Sequence, residues 1–161
     1  MKKFFTMVAA LAMSSIMLVG CSSSADQGTE GNTVGTQAES TAAMDTPVDI
    51  GIIQLMEHPA LDASREGFIS ALAEAGYTDG ENINIELQNA QGDQSNLKTI
   101  SQKFVSDGKD LILAIATPSA QAIATETKDI PILITSVTDP AQSGLVDKNE
   151  LPNCNVSGTS D

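Results

Sequence analysis

Leu111–Ala116 narrows the possibilities for this chain more than any other stretch. It is an unbroken apolar run with no polar residue at alternate positions. That pattern predicts a strand covered on both faces, as in a parallel sheet, although a short run by itself also suits a buried helix. Thr117 and Pro118 decide for the strand, because Thr at N-cap and Pro at the first helical position announce a helix immediately afterwards. A helix that starts at the end of a strand aims its leading N–H groups into the space beyond the sheet. With the hydroxyls of Thr117 and Ser119 beside them, these groups favour a small anionic group. A plain cap inside a βα unit is the ordinary alternative.

The remaining segments repeat the same alternation. Val48–Leu55 is a strand rich in Ile and Val, with Gly51 suited to a close approach. Pro59 opens a first helix with Leu61, Phe68, Leu72 and Ala75 on one face, and Gly76 stops it. Ile83, Ile85 and Leu87 alternate with polar residues, as in a strand with one covered face at a sheet edge. A second helix over 93–107 turns Leu97, Ile100 and Phe104 inward and ends at Gly108. The helix after Thr117 turns Ile123 and Ala124 inward. A fourth strand follows over 131–135, with a loop over 136–140, and a fifth strand or crossover begins at Asn155.

The order β-α-β-α-β-α-β predicts a three-layer α/β fold, a parallel sheet with helices on both faces. With strand order 2-1-3-4 the chain reverses direction between the first and third strands. Ligands of such sheets sit beyond the carboxyl ends at that reversal. The crevice then gathers Gln54, Glu57 and His58 from the first loop, Thr117 and Ser119 from the third, and Ser136 and Asp139 from the fourth. Gln54 and Ser136 can hydrogen-bond a ligand, and Glu57 and Asp139 can accept its ammonium. Capping or solvation is the alternative for both acids, and a helix cap is the alternative for His58. Arg65, inside the first helix, suits a surface or interlobe ion pair better than a ligand clamp.

The first 46 of the 161 residues do not have the makings of a core. Lys2 and Lys3 precede an apolar stretch from Phe4 to Gly20 broken by Ser14 and Ser15, which reads as a secretory signal over 1–20. Leu18-Val19-Gly20-Cys21 resembles the bacterial lipobox, which implies acylation of Cys21 and a lipid anchor holding an extracytoplasmic domain at the cell membrane. Residues 21–46 lack aromatic residues, Lys and Arg, and are expected to be a flexible tether. Residues 47–161 remain for one modest core. Eight Lys+Arg against 21 Asp+Glu, net −13, leave no basic footprint for nucleic acid. Cys21 and Cys154 have no spacing that suggests zinc, and no metal or cofactor is expected.

The stretches IGIIQLMEHPALDASREGF, GYTDGENINI, NAQGD, AIATPSAQA, ITSVTDPAQSGLV and NVSGTSD together resemble the substrate-binding proteins of ABC importers. More narrowly, they are similar to the subgroup of tryptophan- and tyrosine-associated binders. The resemblance spans Val48 to Asp161. It implies a type I periplasmic-binding fold, in which two α/β lobes close on a ligand and dock on a permease. Family members run to about twice this length, so the sequence is expected to hold the N-terminal lobe alone. The implied function is extracytoplasmic binding of an amino acid, aromatic such as tryptophan or tyrosine, or a similar small polar solute, with ABC permease subunits as partners and no bond chemistry. Phe68, Tyr77 and Phe104 all suit core or turn positions, so stacking groups for an aromatic ligand are expected in the other lobe. A truncated, non-binding surface lobe is the alternative. An exported hydrolase is disfavoured, since the chain has no Gly-x-Ser-x-Gly, no His-Glu-x-x-His and a single histidine.

Overall fold

The computed structural model describes residues 46–161. The signal segment, Cys21 and the tether up to residue 45 lie outside the described residues. Five strands form one parallel sheet: β1 (Val48–Gln54), β2 (Ile83–Asn89), β3 (Leu111–Ile115), β4 (Ile132–Val137) and β5 (Val156–Ser160). Their order is β2-β1-β3-β4-β5, so the expected 2-1-3-4 arrangement is present and extended by β5. The helices are α1 (Pro59–Glu74), α2 (Gln94–Ser106) and α3 (Thr117–Glu126).

Strand alternation sorts the core into two clusters, one on each face. Ile50, Ile52, Ile83, Leu113 and Ile115 pack against Leu61, Phe68, Ile69 and Leu72 of α1. Ile53, Ile112, Ala114, Ile132, Ile134 and Val156 pack with Leu97, Ile100 and Phe104 of α2 and Ala120, Ile123 and Ala124 of α3. The central strands carry apolar residues on both faces, which is why Leu111–Ile115 shows no polar alternation. The two faces are covered unequally. α2 and α3 share one face and bury several residues each, whereas α1 is alone on the other and none of its residues is fully buried.

Two expectations, one about α1 and one about β2, need correction. Ala75 is not on the packed face of α1; it is the exposed C-cap, followed by Gly76 at φ +90. Leu87 is exposed rather than covered, because the first turns of α1 are tied to the ends of β1 and β4, away from the carboxyl end of β2. Gly51 does permit a close approach. A Cβ there would lie 2.8 Å from the buried Phe104 ring, so α2 seats its largest side chain directly on β1.

Candidate functional site

Register brings the carboxyl ends of four strands level. Gln54 pairs with Asn89 of β2 and Ile115 of β3, and Ile115 pairs with Thr135 of β4. The segments that follow these residues therefore emerge along one edge of the sheet. β1 and β3 are neighbours there, and the chain leaves them in opposite directions across the sheet, which is the reversal where a crevice forms.

The start of α3 differs from the expected cap. Thr117 is its first helical residue and Pro118 its second; the N-cap is Ala116 at φ 80, ψ 151. The sheet ladder continues one residue past β3, since the Ala116 N–H donates to the Thr135 carbonyl at 3.1 Å. The chain must then turn sharply at Ala116, whose carbonyl accepts the Ala120 N–H at 3.1 Å to close the first helical turn. These dihedrals fall in a region that belongs essentially to glycine. No side chain caps this end. Among the described residues Ser119 is fully buried and its Oγ has no hydrogen-bond partner. Ser101 Oγ in α2 and Asn155 Oδ1 share this status among the described residues; what distinguishes Ser119 is its place at the uncapped helix start.

The β1–α1 loop is organised by Gln54, whose side chain is completely buried. Its Nε2 donates to the Met56 carbonyl at 2.7 Å and to Asp62 Oδ1 at 2.8 Å, and its Oε1 accepts from Arg65 Nη1 at 2.8 Å. Arg65 Nη1 also donates to Asp62 Oδ1 at 3.0 Å. The Gln54 amide, followed by the Arg65 guanidinium, holds the Asp62 carboxyl below its ordinary pKa against the opposing effect of burial. Gln54 thus stands at the expected strand end, with its polar groups engaged inside the protein. Glu57 and His58 are exposed on the same loop. His58 is the N-cap of α1, and its Nδ1 accepts the Ala60 N–H at 3.3 Å.

Ser136 lies within β4 and not in the following loop. β4 runs on to Val137, which pairs with Ser160 of β5 beyond an irregularity between Ile134 and Val137. Ser136 has φ 54, and its hydroxyl lies 3.1 Å from that of Ser64 on α1. Asp139 closes its own loop: its Oδ1 accepts from the Gln142 N–H at 3.1 Å and from Asn149 Nδ2 at 3.2 Å. The Gln142 backbone bond is the main reason its pKa lies below the ordinary value. The capping alternative for Asp139 is thus realised. Ser160 is in β5, and Asp161 accepts from Thr138 Oγ1 at 3.0 Å.

Of the five non-glycine residues with positive φ among the described residues, four, Gln91, Ala116, Ser136 and Asp139, fall just past or at the ends of β2, β3 and β4. Backbone strain of this kind collects at binding edges. The roles of Asp62 and Ser64 escaped the sequence reading; the signal for Asp62 was its spacing of three residues before the only arginine. No group of three His, Cys, Asp or Glu that could hold a metal occurs among the described residues. No described helix is long and apolar enough to cross a membrane.

A model of the ABC transporter substrate binding protein family matches residues 49–161. The chain belongs to that family. It is 49% identical over 160 residues to a tyrosine-binding protein of Clostridioides difficile (strain R20291), covering 99% of this chain and 45% of that protein. It is 61% identical to the ligand-free, open structure of a substrate binding protein with adhesive properties from Clostridium difficile, with a TM-score of 0.70. That match covers 71% of this chain and 39% of the other. It is 41% identical to the structure of an ABC domain in complex with L-Trp from Streptococcus pneumonia, with a TM-score of 0.69, over 72% of this chain and 39% of that one. This substrate-binding-protein chain thus spans less than half the length of these relatives. Its sheet and three helices match a single lobe of the periplasmic-binding fold.

Proposed function

We propose that this lobe supplies one wall of the site at which an extracytoplasmic receptor captures an aromatic amino acid for an ABC permease. The uncapped start of α3, with the orphan Ser119 hydroxyl, is the observation that carries the reading. The Thr117 and Ser119 amides and hydroxyls serve the ligand carboxylate. Glu57, on the exposed β1–α1 loop, serves its ammonium, with Asp139 contributing charge from the opposite loop. His58 and Ser136 line the rim, and Gln54 acts through the groups that it holds. Tyrosine and tryptophan appear in the names of relatives, and both carry the carboxylate, ammonium and aromatic ring that such a site must serve.

The role is capture and release without bond-making. Acylated Cys21 tethers the domain at the outer face of the membrane, within reach of the permease. Calorimetric titration of the full-length gene product with L-tyrosine and L-tryptophan tests the reading. Saturable heat with at least one of them is expected. No heat and no thermal shift with either would overturn it and favour a non-binding surface lobe.

A further inference from the structure

We propose that Arg65 is a ligand-binding residue that receives the carboxylate from the α1 side, with Gln54 and Asp62 as its positioning residues. The inference rests on the amino-acid-capture reading above. Arg65 is the only arginine in a chain of net charge −13. The structure places it against the last residue of β1, at the reversal between β1 and β3. Three of the five described lysines have evident local roles. Lys103 and Lys109 lie 2.7 and 2.9 Å from Glu86 carboxylate oxygens, and Lys128 donates to the Ala124 carbonyl at the far end of α3.

An exposed ion pair with Asp62 would be an ordinary surface feature. Two observations go further. The Arg65 side chain is only 19% exposed, and one of its bonds is to a completely buried amide. A buried glutamine at the end of a central strand is costly unless each polar group is satisfied, and here its oxygen is satisfied by the guanidinium. Nη1 is occupied by Gln54 and Asp62, which fixes the plane of the fork. Nε and Nη2 have no hydrogen-bond partner among the described residues; the nearest carboxylate to Nη2, on Glu66, is 3.6 Å away. A guanidinium held on one edge and open on the other presents two parallel N–H groups, which match a carboxylate bidentately. Holding it beforehand lowers the ordering cost of binding.

Nuclear magnetic resonance of the full-length protein can follow the Arg65 side-chain Nε–H resonance, assigned as the signal that Arg65→Lys removes. On titration with L-tyrosine or L-tryptophan the signal is expected to shift saturably, with the calorimetric affinity. Arg65→Lys, which keeps the charge and loses the fork, is expected to bind at least tenfold more weakly. Gln54→Met is expected to weaken binding too, but to add little on top of Arg65→Lys, as positioning through the same group requires. A resonance that stays in place at ligand saturation would overturn the inference while leaving the functional reading intact. A wild-type protein that binds neither amino acid would overturn both.

Discussion

Ala116 shows how much one backbone position determines at this edge. Its φ of 80 and ψ of 151 turn the chain from the β3 ladder into α3 within one residue. Backbone strain there is on the order of 1–3 kcal/mol. Ala116→Gly relieves that strain but loses a buried methyl, about 0.8 kcal/mol, and adds roughly 0.4–1 kcal/mol of unfolded-state freedom. These terms nearly cancel, so the substitution is expected to leave stability within about 1 kcal/mol of wild type. Ala120→Gly, in the unstrained and buried interior of α3, has no relief to set against its losses and is expected to cost about 2 kcal/mol. Urea unfolding of the two variants checks the contrast; equal losses would show that Ala116 is not strained. The sequence could not reveal this, because Thr117-Pro118 looks like a cap and first helical residue. Only the Ala116 N–H bond to Thr135, contributed by a strand yet to come, moves the cap back by one.

At the level of elements, the contact between α2 and β1 depends on the missing side chain of Gly51. A methyl placed there meets the fully buried Phe104 ring at 2.8 Å, and the packed ring has no room to retreat. Gly51→Ala is expected to destabilise the fold by about 1–3 kcal/mol in denaturant unfolding. Little or no loss would mean that α2 can slide away from β1. Glu86 of β2, the register partner of Gly51, holds the same helix through Lys103. Lys103, then Lys109, hydrogen-bond its carboxylate and lower its pKa from the ordinary 4.5 to about 2. Because the folded value lies below the unfolded one, the stabilisation is complete above about pH 4.5. It is lost as pH falls toward 2. Unfolding midpoints measured across that range are expected to fall more steeply for wild type than for Glu86→Gln. Parallel slopes would contradict the assignment. The elements themselves were largely legible in the sequence. Apolar runs marked β1 and β3, Pro59 marked the start of α1, and Gly76 and Gly108 marked the ends of α1 and α2. The extension of β4 to Val137 was not legible, because it depends on pairing with β5.

For the whole molecule, the strand order decides where a ligand can be met; the βα alternation foretold a parallel sheet, but the order itself was assumed, and the structure supplies it. Less of the candidate site could be foreseen. Gln54 had the right place, but whether its amide faces a ligand or Arg65 depends on α1 folding back over β1. Asp139 was likewise placed correctly, and its engagement by Gln142 and Asn149 is set by the fold of its loop. The central claim is that the carboxyl edge between β1 and β3 receives the charged end of an amino acid. A crystal structure of the full-length protein with L-tyrosine or L-tryptophan bound tests it most directly. The account predicts the ligand carboxylate within hydrogen-bond distance of the Thr117 and Ser119 groups at the start of α3. A ligand seated instead in the cleft of about 470 Å³ lined by Gln121, Thr125, Lys128 and Leu145, or at the amino ends of the strands, would contradict it.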